Sequence, residues 1–326
     1  MKIVSVTFVR NEADVIETFV RHHAQIVDSM IIVDHMSMDD TPLILENLKS
    51  EGVPIHIVNE TRQEFAQAEM TTFQMKRAVN ELGADWVIFL DADEFLVPDK
   101  GRNIGMLFEK LSQEHVHNVF WRTYVPRPED PLNERFLFNR IQYCRAEEPN
   151  PVSKVLVPRI IAAKKTTVLR TGNHKIRDMS RFRKKNIQAK HAEHLHIAHF
   201  PVRSVEQITA KVLLGWPSRL ASPEQKGSKN YHIRKIFRKV QKCSEISAED
   251  LMTLALDYAM PEHMKDIPQK LVRDPVVSPC GQFTLKYPNN YSLNLVSALA
   301  ELAEDLAIKL GEERKRTGWK RIFSRG

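Results

Sequence analysis

Cysteine is scarce in this 326-residue chain, which holds three: Cys144, Cys243 and Cys280. They are widely separated, odd in number and form no C-x-x-C pair. That argues against a disulfide framework or a zinc-thiolate site and fits a reducing cytosol. Long apolar runs are missing as well. No stretch reaches the ~18 residues a transmembrane helix needs. The first residues, Met1 to Val9, lack a basic n-region of any length and meet Arg10-Asn11-Glu12 too early for a signal peptide. They read better as a first core strand. No helix-turn-helix, RRM or zinc-finger pattern appears, and no internal repeat.

What is present is a core and a positive balance. Hydrophobic residues make up 42 % of the chain and the formal net charge is +7. With a pI near 9.2, the chain favours anionic partners: nucleotide, phosphate, membrane surface or nucleic acid. The length suits one large domain or two smaller ones.

The most informative segment is Trp86-Val87-Ile88-Phe89-Leu90, which runs directly into Asp91-Ala92-Asp93-Glu94. An unbroken apolar run reads as a strand buried on both faces. Two carboxylates at the exit of such a strand are costly without positive compensation. A divalent metal is the natural candidate, because hard oxygen ligands suit Mg²⁺ or Mn²⁺ and these ions share their shell with substrate phosphates. The bland reading is an acidic turn.

The first hundred residues alternate. Strands are expected over 2–8, 29–33, 54–58 and 86–90, and helices over 13–24, 41–48 and 64–82. Such alternation implies an α/β fold, a mostly parallel sheet flanked by helices. Ligands bind such sheets at the carboxyl ends of the strands. Arg10-Asn11-Glu12, Asp34 and Asp91/Asp93 all fall there. From 120 to 200 the chain is rich in Arg, Lys and His, with β-like runs at 155–157, 159–162, 166–169 and 194–200. These are expected to complete or extend the first sheet. Beyond Ser204 helices dominate. Ser204 with Gln207 suits a capping box, and 248–260 and 292–310 are further helical candidates.

Each strand end has two readings. Asp34, after Ile31-Ile32-Val33, could contact a base or ribose, or belong to a polar loop whose Asp40 or Thr41 caps a helix. Arg10 could neutralise phosphate with Glu12 orienting it, or the segment could simply start a helix.

Thr7-Phe8-Val9-Arg10-Asn11-Glu12, then Ile31-Ile32-Val33-Asp34 with Ser37 and Asp40-Thr41, then Trp86 to Phe95 with its D-x-D-E, together resemble a family 2-like glycosyltransferase of the GT-A type. The Arg-Asn-Glu opening and Asp-Glu-Phe ending are closer to a subgroup related to family 92. His35-Met36 departs from the commoner Asp-Gly or Asp-Asn. The resemblance covers roughly residues 1–100. It implies a GT-A (Rossmann-like) fold and a nucleotide-sugar donor, with a UDP-sugar favoured. Asp34 would lie near the base and Asp91/Asp93 near a metal-bound diphosphate, with Mn²⁺ or Mg²⁺ as cofactor. It also implies a catalytic domain over 1–203, with a nucleotide-binding half (1–100) and an acceptor half (101–203). A helical region (204–310) and a basic tail (311–326) would follow.

Downstream, His194 to Phe200 followed by Arg203-Ser204 and Lys211 also resembles the subgroup. One histidine from here could complete the metal shell, His199 first and His174 second, or these histidines could have no ligand role. Lys211 and Arg10 could add charge at the diphosphate. Members of the family invert and use an acidic base, for which Asp178 and Glu193 lie in the right half of the chain. The basic run Arg177, Arg181, Arg183, Lys184 and Lys185 reads as a solvated face or as a lid. The tail interleaves basic residues with Trp319, Ile322 and Phe323. It reads as a solubilising end or as a peripheral contact with the anionic inner face of a membrane. The acceptor would be a glycan or lipid-linked hydroxyl. The rivals are a nucleotidyltransferase, which usually has a glycine-rich loop where Arg10-Asn11-Glu12 stands, and a basic nucleic-acid-binding protein. No nucleic acid is expected as a partner.

Overall fold

The computed structural model describes residues 1–61, 67–180, 183–220, 236–240, 242, 245–261, 264, 268–279, 281, 283–287, 299 and 303. The helix expected over 292–310 and the basic tail 311–326 lie outside the described residues.

The first half follows the alternation of the sequence: β1 (Ile3–Val9), α1 (Ile16–His23), β2 (Ser29–Asp34), α2 (Thr41–Ser50), β3 (Ile55–Asn59), α3 (Gln67–Asn80), β4 (Trp86–Phe89), β5 (Glu94–Pro98) and α4 (Ile104–Lys110). β2 and β4 are buried along their whole length, as strands covered on both faces should be. The second half adds β6 (Val116–Thr123), α5 (Leu137–Arg140), β7 (Tyr143–Arg145), β8 (Ser153–Pro158), α6 (Arg159–Ala162) and β9 (Thr167–Leu169). Next come β10 (Ile176–Ser180), β11 (Arg183–Asn186), β12 (Ala189–His199), α7 (Val205–Leu220), α8 (Ala248–Leu256) and β13 (Leu271–Arg273).

Eight strands form one mixed sheet in the order β3-β2-β1-β4-β8-β6-β12-β5. β3, β2, β1 and β4 are parallel. β8 is antiparallel to both β4 and β6, and β12 runs parallel to β6. One face packs Ile16, Phe19, Leu45, Phe95 and Phe138 into the larger core. The other packs Met75, Ala78 and Val79 of α3 against Val4, Val6 and Phe89. Neither face is solvated, which is why the central strands read as continuous apolar runs.

Three expectations need correction. Residues 159–162 form a helical turn, α6, and not a strand. Pro158 ends β8, and Arg159 then donates its side chain to the carbonyls of Ala84 and Val79, which turns the chain away from the sheet. The run 166–169 contributes β9 to a separate antiparallel sheet, β11-β10-β9, and not to the main one. It is anchored on α3, where Thr72 Oγ1 accepts from Leu169 N at 2.9 Å. Ser204 does cap α7, accepting from Gln207 N at 3.1 Å. Gln207 Oε1, however, reaches Arg203 N (3.2 Å) and not Ser204.

Candidate active site

The carboxyl ends of β1 and β2 lie side by side, with Val9 paired to Asp34. The loops that follow are stitched together by backbone donors. Asn11 N donates to Ser37 Oγ (2.9 Å), Glu12 N to Thr41 Oγ1 (2.9 Å) and Ala13 N to Asp39 Oδ2 (3.0 Å). In return Met38 N donates to Asn11 Oδ1 at 2.7 Å. Asn11 adopts φ 57 and Met36 φ 59. Asparagine tolerates this left-handed region better than other side chains, whereas Met36 holds it at a cost of about 1 kcal/mol or more. Asp34 sits at the strand end and accepts from the Ser37 hydroxyl and, at 3.4 Å, from Ser37 N. Burial raises its pKa above the ordinary carboxylate value, with the Ser37 bonds opposing. Arg10 is exposed, close enough to Asp34 to favour its ionised form.

One strand over, the exit of β4 is organised by buried charge. Asp91 N donates to Glu94 Oε2 (2.9 Å) and Glu94 N to Asp91 O (3.0 Å), which closes a tight turn. Leu156 of β8 pairs with Ile88 of β4 in antiparallel register, so Lys154 lies past the end of β4. Its ammonium, fully buried, reaches Asp91 Oδ2 at 2.8 Å, Gly172 O at 3.1 Å and Glu94 Oε1 at 3.4 Å. Burial opposes its charge, but Asp91 and Glu94 outweigh it and hold Lys154 protonated. Burial pushes Glu94 well above the ordinary range despite Lys154.

Asp93 is the centre of the cluster. Its backbone oxygen accepts from Phe200 N at 2.8 Å. Its carboxylate faces Lys211 Nζ (3.4 Å), Arg203 Nη1 (3.6 Å) and His199 Nε2 (4.0 Å). Burial disfavours its charge, but these neighbours, Lys211 foremost, hold the carboxyl below its ordinary range. Arg203 also clamps Glu12 at 2.6 Å and Asp14 at 2.6 and 2.9 Å. Burial raises Glu12 to about 7 against the pull of Arg203. Burial lowers His199 to about 3, so its imidazole is neutral.

The structure therefore brings Asn11, Glu12 and Asp34 to one edge with Asp91, Asp93, His199 and Lys211. It does not bring in the two expected bases. Asp178 lies on β10 of the separate sheet, bonded to Ser180 N at 2.9 Å. Glu193 is exposed on β12, within the bulge between His191 and His196. Neither side chain belongs to the cluster. Of the basic run, Arg177 meets Asn186 on β11 and Lys185 is exposed. The side chains of Arg181, Arg183 and Lys184 lie outside the described residues.

Sequence reasoning did not assign roles to Lys154, Arg203, Asp14, Trp121 or Tyr258. Lys154 had a signal: a lone charge in the apolar run Val155-Leu156-Val157 that must be paired if buried. The others carried none.

Among the described residues no group of three or more His, Cys, Asp or Glu side chains converges on a common point. Asp91 is engaged by Lys154, and the donors that remain together are Asp93 and neutral His199. They are too far apart to hydrogen-bond, and His199 Nδ1 is buried with no hydrogen-bond partner among the described residues. A carboxylate and a neutral imidazole suit a divalent ion that completes its shell with phosphate oxygens.

The family model for glycosyl transferase family 2 matches residues 5–197, more than half of the chain. The chain belongs to glycosyl transferase family 2. This membership places the chain with glycosyl transfer and not with nucleotidyl transfer. Solved structures resemble it loosely. S. aureus TarS 1-349 in complex with UDP is 12 % identical, with 81 % of this chain and 77 % of that chain covered and a TM-score of 0.35. The Pyrobaculum calidifontis mannosyltransferase PcManGT, in complex with GDP-Man and Mn²⁺, is 14 % identical, with 99 % and 82 % covered and a TM-score of 0.36. Mycobacterium tuberculosis glucosyl-3-phosphoglycerate synthase with Mn²⁺, UDP and glucosyl-3-phosphoglycerate is 21 % identical over 37 % and 44 %, with a TM-score of 0.28. No curated protein matches the chain. Among the described residues no helix is long and apolar enough to cross a membrane.

Proposed function

We propose that this glycosyltransferase moves a hexosyl group from a nucleotide-sugar donor, with a UDP-sugar favoured, to a hydroxyl of a glycan or lipid-linked acceptor. The transfer inverts the anomeric centre and uses Mn²⁺ or Mg²⁺. The observation that carries the reading is the charge balance around Asp93. Five carboxylates, Glu12, Asp14, Asp91, Asp93 and Glu94, face three cations, Lys154, Arg203 and Lys211. With Glu94 protonated and Glu12 raised to about 7, these carboxylates still at least balance the three cations, so the cluster offers no net positive charge to a diphosphate. An added cation supplies that charge.

Asp93 and His199 are the residues that would hold the ion, which when bound supplies Lewis-acid stabilisation of the departing diphosphate. Lys211, partly exposed and already at the cluster, is the chain's own cation for the same charge. Asp34, with raised pKa and a hydroxyl partner, is suited to accept from a base or ribose donor.

Calorimetric titration of UDP and of GDP, with Mn²⁺ and with EDTA, tests this. Metal-dependent binding of one nucleotide is expected, UDP first. Binding of neither with metal present would overturn the donor assignment. Equal binding in EDTA would overturn the metal.

A further inference from the structure

A metal-binding imidazole ordinarily donates its second ring N–H to a carboxylate, carbonyl or water, and that bond fixes the ring. His199 departs from this: Nε2 faces Asp93, while Nδ1 is buried with no hydrogen-bond partner among the described residues. Packing holds the ring instead. Trp121 stacks on it with ring centroids 4.0 Å apart and planes at 29°. Tyr258 meets it edge-on at 5.1 Å and 69°. Trp121 is fixed by the main sheet, paired with Ile197. Tyr258 comes from far along the chain, just beyond α8, and must be delivered.

Arg145 delivers it. This residue of β7 is 3 % exposed. Its Nη2 lies 2.8 Å from each of the carbonyls of Ala255, Leu256 and Tyr258, which share its two N–H donors. Glu148 balances the charge at 2.8 Å. Asn150 Nδ2 holds Ala259 O at 2.9 Å, where Ala259 takes φ 57. The carbonyls at and just beyond the end of α8 thus converge on a buried guanidinium, which ties the segment carrying Tyr258 to β7.

We infer that Tyr258 is a positioning residue for His199: it closes an aromatic clamp with Trp121 that substitutes for the usual orienting hydrogen bond. Through it the C-terminal region contributes to the metal site. The inference rests on the reading of Asp93 and His199 as ligands of a divalent ion.

The test uses the full chain with UDP present: wild type, Tyr258→Ala and Tyr258→Phe titrated with Mn²⁺ and followed by electron paramagnetic resonance, including the nitrogen hyperfine coupling from a bound imidazole. Tyr258→Ala is expected to weaken Mn²⁺ binding about 10-fold, the low end for loss of an orienting partner, and to alter the nitrogen coupling. Tyr258→Phe keeps the nitrogen coupling, because the contact with His199 is made by the ring. Circular dichroism in EDTA, unchanged across the three, separates positioning from unfolding. Wild-type affinity and coupling in Tyr258→Ala would overturn the inference and leave the metal reading standing. Absence of nitrogen coupling in wild-type protein would overturn His199 as a ligand, and the inference with it.

Discussion

The two strand-end regions that form this site are built by opposite means. The loops after β1 and β2 are joined by short bonds from backbone N–H groups to Ser37, Thr41, Asp39 and Asn11. The turn after β4 is held by Lys154, Arg203 and Lys211 against buried carboxylates. The first kind of join is made by backbone donors to nearby side-chain oxygens, the Asp39 carboxylate among them, and is local to two loops, and each bond contributes about 1 kcal/mol. The second is charged, drawn from three distant elements, and stable only while every charge is compensated. A nucleoside needs a shaped and quiet surface, whereas a diphosphate needs a charged one.

The largest break in this contrast should come from Asp93→Asn. Removing the charge at the centre of the cluster is expected to lower turnover by about 10³-fold, roughly 4 kcal/mol in the barrier, and to abolish Mn²⁺ binding while the fold persists. Steady-state kinetics with and without Mn²⁺ check this. Wild-type turnover in the variant would remove Asp93 from the chemistry.

Lys154→Met should come next. It leaves Asp91 and Glu94 without their buried counter-charge, and a loss of about 3–4 kcal/mol is expected from urea unfolding. Adding Glu94→Gln to that variant should recover part of the loss. A Lys154→Met protein as stable as wild type would mean that water, not lysine, compensates Asp91.

Acid probes the neutral core behind the first region. His22 lies on α1, with one ring nitrogen on Leu96 O (2.9 Å) and the other on Ser278 Oγ (3.0 Å). Burial lowers its pKa from 6.5 to about 4. The unfolded chain therefore binds the proton first as pH falls. The contribution of His22 is complete above pH 6.5 and is lost progressively down to about pH 4, about 3 kcal/mol in all. Unfolding free energies measured across that window check it, and a flat profile would mean that the folded protein accepts the proton freely.

The smallest effect is expected at Asp34. Asp34→Ala removes one acceptor from the backbone-bonded region and should weaken UDP binding about 10-fold, near 1.4 kcal/mol, with less effect on the chemical step. Unchanged UDP affinity would take Asp34 out of the donor site and leave the contrast without its nucleoside half.

Much of the first half was legible beforehand. Trp86 to Phe89 is the buried strand that its apolar run announces, and Asp34 and Asp91 to Glu94 lie at strand ends where alternation put them. The misread parts have a common cause. Ile160 and Ile161 favour a strand by side-chain type, yet Pro158 and the contacts of Arg159 turn the chain into α6. Residues 167–169 do form a strand, but α3 and β10 decide which sheet it joins. Asp178 and Glu193 are acidic residues in the right half of the sequence, and nothing local tells that they point elsewhere.

The sequence by itself determined the order of strands and helices, the exit of carboxylates from β4 and, through its motifs, the family. These depend on periodicity and on neighbours a few residues away. Only the tertiary structure decided which cation compensates each carboxylate, that His199 and not another histidine stands beside Asp93, and that Tyr258 reaches it. Charge compensation and ring packing fall off within a few ångströms. They are set by the register of β8 against β4 and of β12 against β6, and by where Arg145 holds the end of α8.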